Sequence, residues 1–125
     1  MGAVQARGNR QSWPLRSSRR ATYTKRMARY EFIAAYLLTN RKNGTLYAGS
    51  TSDLVQRMEQ HKLGQGSKFA AAHGCDRLVW YQRYETMEPA LAQERRLKGW
   101  LRTWKIALIE KHNPDWRDLS LEPLF

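Results

Sequence analysis

The sequence is short of cysteine: Cys75 is the only one among 125 residues. A single thiol cannot close an intramolecular disulfide, and it supplies no cluster of soft metal ligands. That usage suits a reducing compartment and leads to an expected cytoplasmic location. No run of about 18 apolar residues occurs, so no transmembrane helix is expected. No apolar stretch follows the basic N-terminus, which argues against a secretory signal. Acidic residues are missing from positions 1–26, which hold seven Arg and Lys. What is present is a hydrophobic fraction of 42% with five tryptophans. That is enough for one modest core, and the length favours one domain over two.

The formal net charge of +11 is the strongest compositional signal. Charge of this sign and size attracts polyanions such as nucleic acid or an anionic membrane. It is unevenly spread, because beyond residue 26 fifteen basic residues face eleven acidic ones, a balance of only +4. Segment 1–26 is rich in Arg, Ser, Gln and Gly and has too little apolar surface to offset its chain entropy, so disorder is expected there. Three readings of it stay open: an electrostatic arm, a targeting peptide, or sequence ahead of a natural start at Met27. A membrane-surface role is disfavoured, since no amphipathic helix accompanies the basic stretch. The chain therefore divides into a basic extension over 1–29, a domain over 30–119 and a tail over 120–125.

Within the domain, Tyr30 to Thr39 is rich in aromatic and aliphatic residues and fits a strand. Arg41-Lys42-Asn43-Gly44 supplies a turn, and Thr45 to Ser50 the returning strand of a hairpin. Ser52 or Asp53 caps a helix, with Gln56 placed for a capping box and Gly64 as the stop. A short helical piece follows over Ser67 to His73, then a third strand over Arg77 to Tyr84. Thr86 caps a helix with Pro89 in its first turn, running to about Leu101. A last helix runs from about Thr103 to His112 and stops before Asn113-Pro114. The order β-β-α-(α)-β-α-α describes an α/β protein of the α+β type, a three-stranded antiparallel sheet flanked by helices.

Several residues fit a purely structural reading poorly. Glu94 lies inside the apolar stripe Ala90, Leu91, Leu97, Leu101, where a carboxylate is costly unless a cation, metal or hydrogen bonds compensate it. A salt bridge to a nearby Arg, or a position at the edge of the stripe, would also explain it. Arg57 and His61 share one face of their helix at i, i+4. Such a pair can hold a phosphate and pass a proton, although a solvated polar face often carries the same residues. Tyr36 and Tyr47 project from the same face if the hairpin loop has an even number of residues. A two-residue loop leaves them about 13 Å apart along the ladder, a four-residue loop about 7 Å. Ordinary aromatic packing explains either tyrosine alone, and Asn113 reads equally as a helix C-cap.

Ala34-Ala35-Tyr36, placed eleven residues before the tyrosine of Tyr47-Ala48-Gly49, resembles the paired signature of the GIY-YIG nuclease superfamily. Arg57, His61, Glu94 and Asn113 follow in that superfamily's order. Asn43-Gly44-Thr45-Leu46-Tyr47, Gly66-Ser67-Lys68-Phe69 and the stretch from Trp104 to Pro114 are similar to small stand-alone bacterial GIY-YIG proteins. The likeness covers about residues 30 to 119. Alanines stand at 34, 35 and 48 where the name-giving Gly and Ile residues would be, while both tyrosines and Gly49 are kept.

The resemblance implies a metal-dependent endonuclease that hydrolyses phosphodiester bonds in DNA, with a role in repair or recombination. Branched DNA, single strands and RNA stay open as substrates, and neither a membrane partner nor a small-molecule cofactor is expected. It implies that Glu94 binds Mg²⁺ or Mn²⁺ through oxygen, with water in most other positions. Arg57 would hold the phosphate. A tyrosine of the Tyr36 and Tyr47 pair, with His61, would orient or deprotonate the attacking water, needing help because a phenol's ordinary pKa is about 10. Asn113 would anchor the metal-side geometry or a substrate phosphate, and Lys68 would touch the substrate backbone. The alternative is a GIY-YIG module that binds nucleic acid or a protein partner without cutting, which the lack of an appended recognition domain favours.

Overall fold

The computed structural model describes residues 32–122. The expected disorder of the basic extension, the first two residues of the strand expected from Tyr30 and the last three residues of the chain lie outside the described residues. Three strands form one antiparallel sheet: β1 (Ala34–Thr39), β2 (Leu46–Thr51) and β3 (Arg77–Arg83), in the order β2-β1-β3. Four helices accompany them: α1 (Leu54–Lys62), α2 (Lys68–Ala72), α3 (Met87–Gly99) and α4 (Arg102–His112). A 3-10 turn over Leu119–Leu121 follows.

The central strand explains the architecture. Every residue of β1 is buried, so both of its faces are covered and its sequence reads as a continuous apolar run instead of an alternation. One face, with Ala34, Tyr36 and Leu38, packs on Leu54 and Met58 of α1 and Ala70 of α2. The other, with Ala35 and Leu37, packs on Leu97 of α3, Ile109 of α4 and Trp116. The sheet is thus a middle layer between two pairs of helices, with β2 at an edge.

The strand expected over Tyr30–Thr39 begins only at Ala34. The carbonyls of Phe32 and Ile33 accept from Leu54 N at 2.9 Å and Tyr84 N at 2.8 Å, tying the entry of the strand to α1 and to the end of β3. The hairpin turn is fixed by Asn43 at φ 59 and by Asn40 Oδ1, which accepts from Thr45 N at 3.0 Å. Asp53 caps α1 by accepting from Gln56 N, and Gly64 follows it at φ +74. Thr86 stands at the N-cap of α3 with no side-chain cap bond.

The stripe expected on α3 needs correcting. Ala90 and Leu97 are buried, but Leu91 is 41% and Leu101 60% exposed. The chain leaves the helix at Trp100, whose extended ψ of 151 turns Leu101 out to solvent as the cap of α4.

Candidate active site

The hairpin register decides how the two tyrosines meet. Tyr36 stands opposite Gly49 and Tyr47 opposite Leu38, two ladder positions apart on one face. This is the closer of the two spacings weighed from the sequence, and the ring centroids lie 6.4 Å apart. His61, on the buried side of α1, completes a triangle of rings at 5.8 Å from Tyr36 and 5.7 Å from Tyr47. The Tyr36 hydroxyl and His61 Nε2 share a buried hydrogen bond of 3.0 Å.

Electrostatics follow from this packing. Burial pushes the Tyr36 hydroxyl well above the ordinary phenol range, against the pull of the Arg57 guanidinium, which also hydrogen-bonds it. His61 is drawn down to about 4, by burial first and by Arg57 second. At neutral pH the imidazole is therefore uncharged beside a phenol that keeps its proton. Arg57, one turn before His61 and only half-buried, supplies the positive charge of this group.

Glu94 approaches from the opposite layer. Ser50, on the sheet face turned toward α3, donates its hydroxyl to Glu94 Oε1. Lys98 Nζ sits 2.7 Å from Oε2, one turn further along α3. The carboxylate thus meets a Lys and a Ser, where an Arg or open water was the expected alternative to a ligand. The carboxylate of Glu94 is the smallest of the influences that raise the Tyr36 hydroxyl, and Tyr47 is the smallest of those that raise Lys98. The ring cluster and Glu94 thus lie on opposite faces of the sheet, linked by β2, which carries Tyr47 on one face and Ser50 on the other.

Two other expected residues separate here. Lys68 is exposed at the start of α2, next to Phe69, whose ring stacks on Tyr47 at 6.1 Å. Asn113 is fully buried and points into the scaffold instead. Its Nδ2 donates to Val79 O at 3.1 Å and Arg117 O at 2.9 Å, and its Oδ1 accepts from Arg117 N at 3.1 Å. No surface of Asn113 is left to meet a substrate, so the structure turns that expectation into a clamp on the end of α4.

Sequence reasoning missed Ser50, Lys98 and Gly66. The signal for Lys98 was available, since it stands at i+4 from Glu94. Gly66 packs on His61, where an added Cβ would lie 2.5 Å from Nδ1. Ser50 had no local signal, because its role depends on which helix covers the β2 edge.

A divalent cation is compatible with these side chains. Among the described residues no group of three or more His, Cys, Asp or Glu converges. One carboxylate anchored by Ser50, its second oxygen already facing a cationic group, fits an ion that keeps most of its water shell.

The GIY-YIG family, as its catalytic domain, matches residues 32–107. The chain belongs to this family. A nuclease-type function on nucleic acid goes with that membership. The UPF0213 protein of Bacillus pumilus is 38% identical over 69 residues, 55% of this chain and 70% of the relative. The UPF0213 protein of Staphylococcus aureus strain Mu3 is 36% identical over 69 residues, 55% of this chain and 84% of that protein. Both are similar to this GIY-YIG domain, and their names carry no activity. No solved structure matches the chain. None of the described helices is long and apolar enough to cross a membrane.

Proposed function

We propose that this GIY-YIG protein is a divalent-metal-dependent endonuclease that hydrolyses phosphodiester bonds in DNA, acting in repair or recombination. The observations that support the reading are the cluster of Tyr36, Tyr47 and His61 beside Arg57 on one face of the sheet and Glu94, held by Ser50 of β2, on the other. Phosphodiester hydrolysis needs a positioned water, neutralised phosphate charge and help for the leaving oxygen. When bound at Glu94, Mg²⁺ or Mn²⁺ supplies charge to the phosphate and to the leaving 3′-oxygen.

The chain's own groups divide the remaining work. Arg57 presents a planar guanidinium that can grip two phosphate oxygens at once. Tyr47 is only half-buried and is the tyrosine that can meet an attacking water. Tyr36 is fully enclosed, so it positions Tyr47 and passes the electrostatic influence of Arg57 and His61. His61, uncharged at neutral pH, holds the Tyr36 hydroxyl through their shared buried hydrogen bond and so orients the tyrosine pair. Lys68 contributes positive charge toward the strand being cut.

The test incubates supercoiled, branched and single-stranded DNA, with an RNA counterpart, in Mg²⁺ or Mn²⁺. Wild type is expected to cut, and Glu94→Ala and Arg57→Ala to lower the rate about 100-fold or more. Cutting by wild type and variants alike would remove the assigned roles. Salt-sensitive binding with no cutting in any metal, unchanged by Glu94→Ala, would instead favour a binding module.

A further inference from the structure

Glu94 offers two oxygens, and both are taken. Ser50 holds Oε1, and Lys98 sits 2.7 Å from Oε2. The two partners differ in how easily they leave. Ser50 belongs to a strand and has one short side chain. Lys98 reaches Glu94 over a flexible four-carbon stem and is 55% exposed, while the Glu94 side chain is only 18% exposed. A carboxylate one turn N-terminal to a lysine is the favourable orientation for such a pair. The lysine ammonium and a divalent ion cannot share Oε2, because their charges repel at contact distance.

We infer that Lys98 is a resident counter-cation of the metal site: it holds the Oε2 position of Glu94 while the site is empty, and a divalent cation must displace it to bind. This inference rests on the metal-dependent reading above. It makes Lys98 a residue that sets the affinity of the site. Ser50 keeps the carboxylate aimed throughout, and the lysine swings into water when the ion arrives. In this arrangement Glu94 is never left uncompensated, and loading becomes sensitive to the strength of one half-exposed ion pair.

The experiment measures binding of Mn²⁺ alone to the full chain, following the free-ion signal by electron paramagnetic resonance. Lys98→Met is expected to bind Mn²⁺ about two- to five-fold more tightly than wild type, the range given by losing one partly exposed ion pair. Lys98→Arg, which retains the cation, is expected to restore wild-type affinity. Arg95→Met removes an equal charge from an exposed neighbouring position on α3 and controls for long-range repulsion. Tightening confined to Lys98→Met supports the displacement. Unchanged or weaker binding by Lys98→Met, or equal tightening by Arg95→Met, overturns it. Wild type and Glu94→Gln binding Mn²⁺ identically would remove the Glu94 metal site itself, an outcome distinct from the failure of the lysine's role.

Discussion

Gly49 and Gly66 act through what they leave empty. A Cβ on Gly49 would stand 2.6 Å from the Tyr36 hydroxyl, and one on Gly66 would press on the His61 ring from its Nδ1 side. The hydrogen bond between Tyr36 and His61 is therefore enclosed by backbone at both ends. Neither side chain has room to retreat, since both are buried. Gly49→Ala is expected to destabilise the fold by about 1–3 kcal/mol, the usual cost of overpacking. It should also disturb any cleavage by shifting Tyr36 against Tyr47. Urea unfolding and a cleavage assay measure the two effects, and a Gly49→Ala protein equal to wild type in both would contradict the close packing. Gly64 is a glycine of another kind, at φ +74 with open space around it, where conformation alone is at stake. At this scale the sequence shows Glu94 out of place between the apolar positions of its helix, but not that Ser50 holds it. A misfit charge and its i+4 lysine are local properties, whereas a partner on another element depends on tertiary packing.

At the scale of elements, the hairpin and the order of helices were legible because each carries a local signal. Asn43-Gly44 marks the turn, Asp53 the start of α1, and Pro114 the end of α4. The register was legible only as two alternatives, since loop length fixes spacing and the sequence alone leaves that length open. The burial of α3 was less so, because an apolar stripe does not say where a helix ends and Leu101 lies beyond the break. Asn113 shows the same limit from the other side. A polar residue before proline reads as a cap or a ligand, and only the fold shows its side chain bridging Val79 on β3 to Arg117 beyond α4. Asn113→Ala would leave the buried Val79 carbonyl and the part-buried backbone groups of Arg117 without this partner. The expected loss is about 2–4 kcal/mol, from unsatisfied buried polar groups. Denaturant unfolding reads this directly, and a loss under about 0.5 kcal/mol, the scale of a surface change, would contradict the clamp.

At the scale of the whole molecule, acid stability depends on a group that the fold keeps neutral. His61 titrates near 4 in the folded protein and near 6.5 when unfolded. Between these values the unfolded chain binds a proton that the folded one refuses, so stability rises with pH across the window and is lost on acidification. The shift corresponds to about 3 kcal/mol, most of it gone by pH 4. Asp118 acts lower on the scale. Burial would raise its pKa, but Lys62, Ser120 and the Leu78 amide together hold the carboxyl below its ordinary 3.8. Its contribution is present above that value and disappears as pH falls through the folded pKa. The two windows therefore separate, with His61 above pH 4 and Asp118 below it. General repulsion in a chain of formal charge +11 also grows with acid, but it grows alike in a variant lacking the imidazole. Urea unfolding at intervals from pH 7 to pH 4 should show a steep loss for wild type and a much flatter one for His61→Gln. Asp118→Asn should keep the wild-type slope in that range. The slope identifies the group even if either substitution lowers stability overall. A His61→Gln protein with the wild-type slope would show that the imidazole is not what the fold protects from protonation.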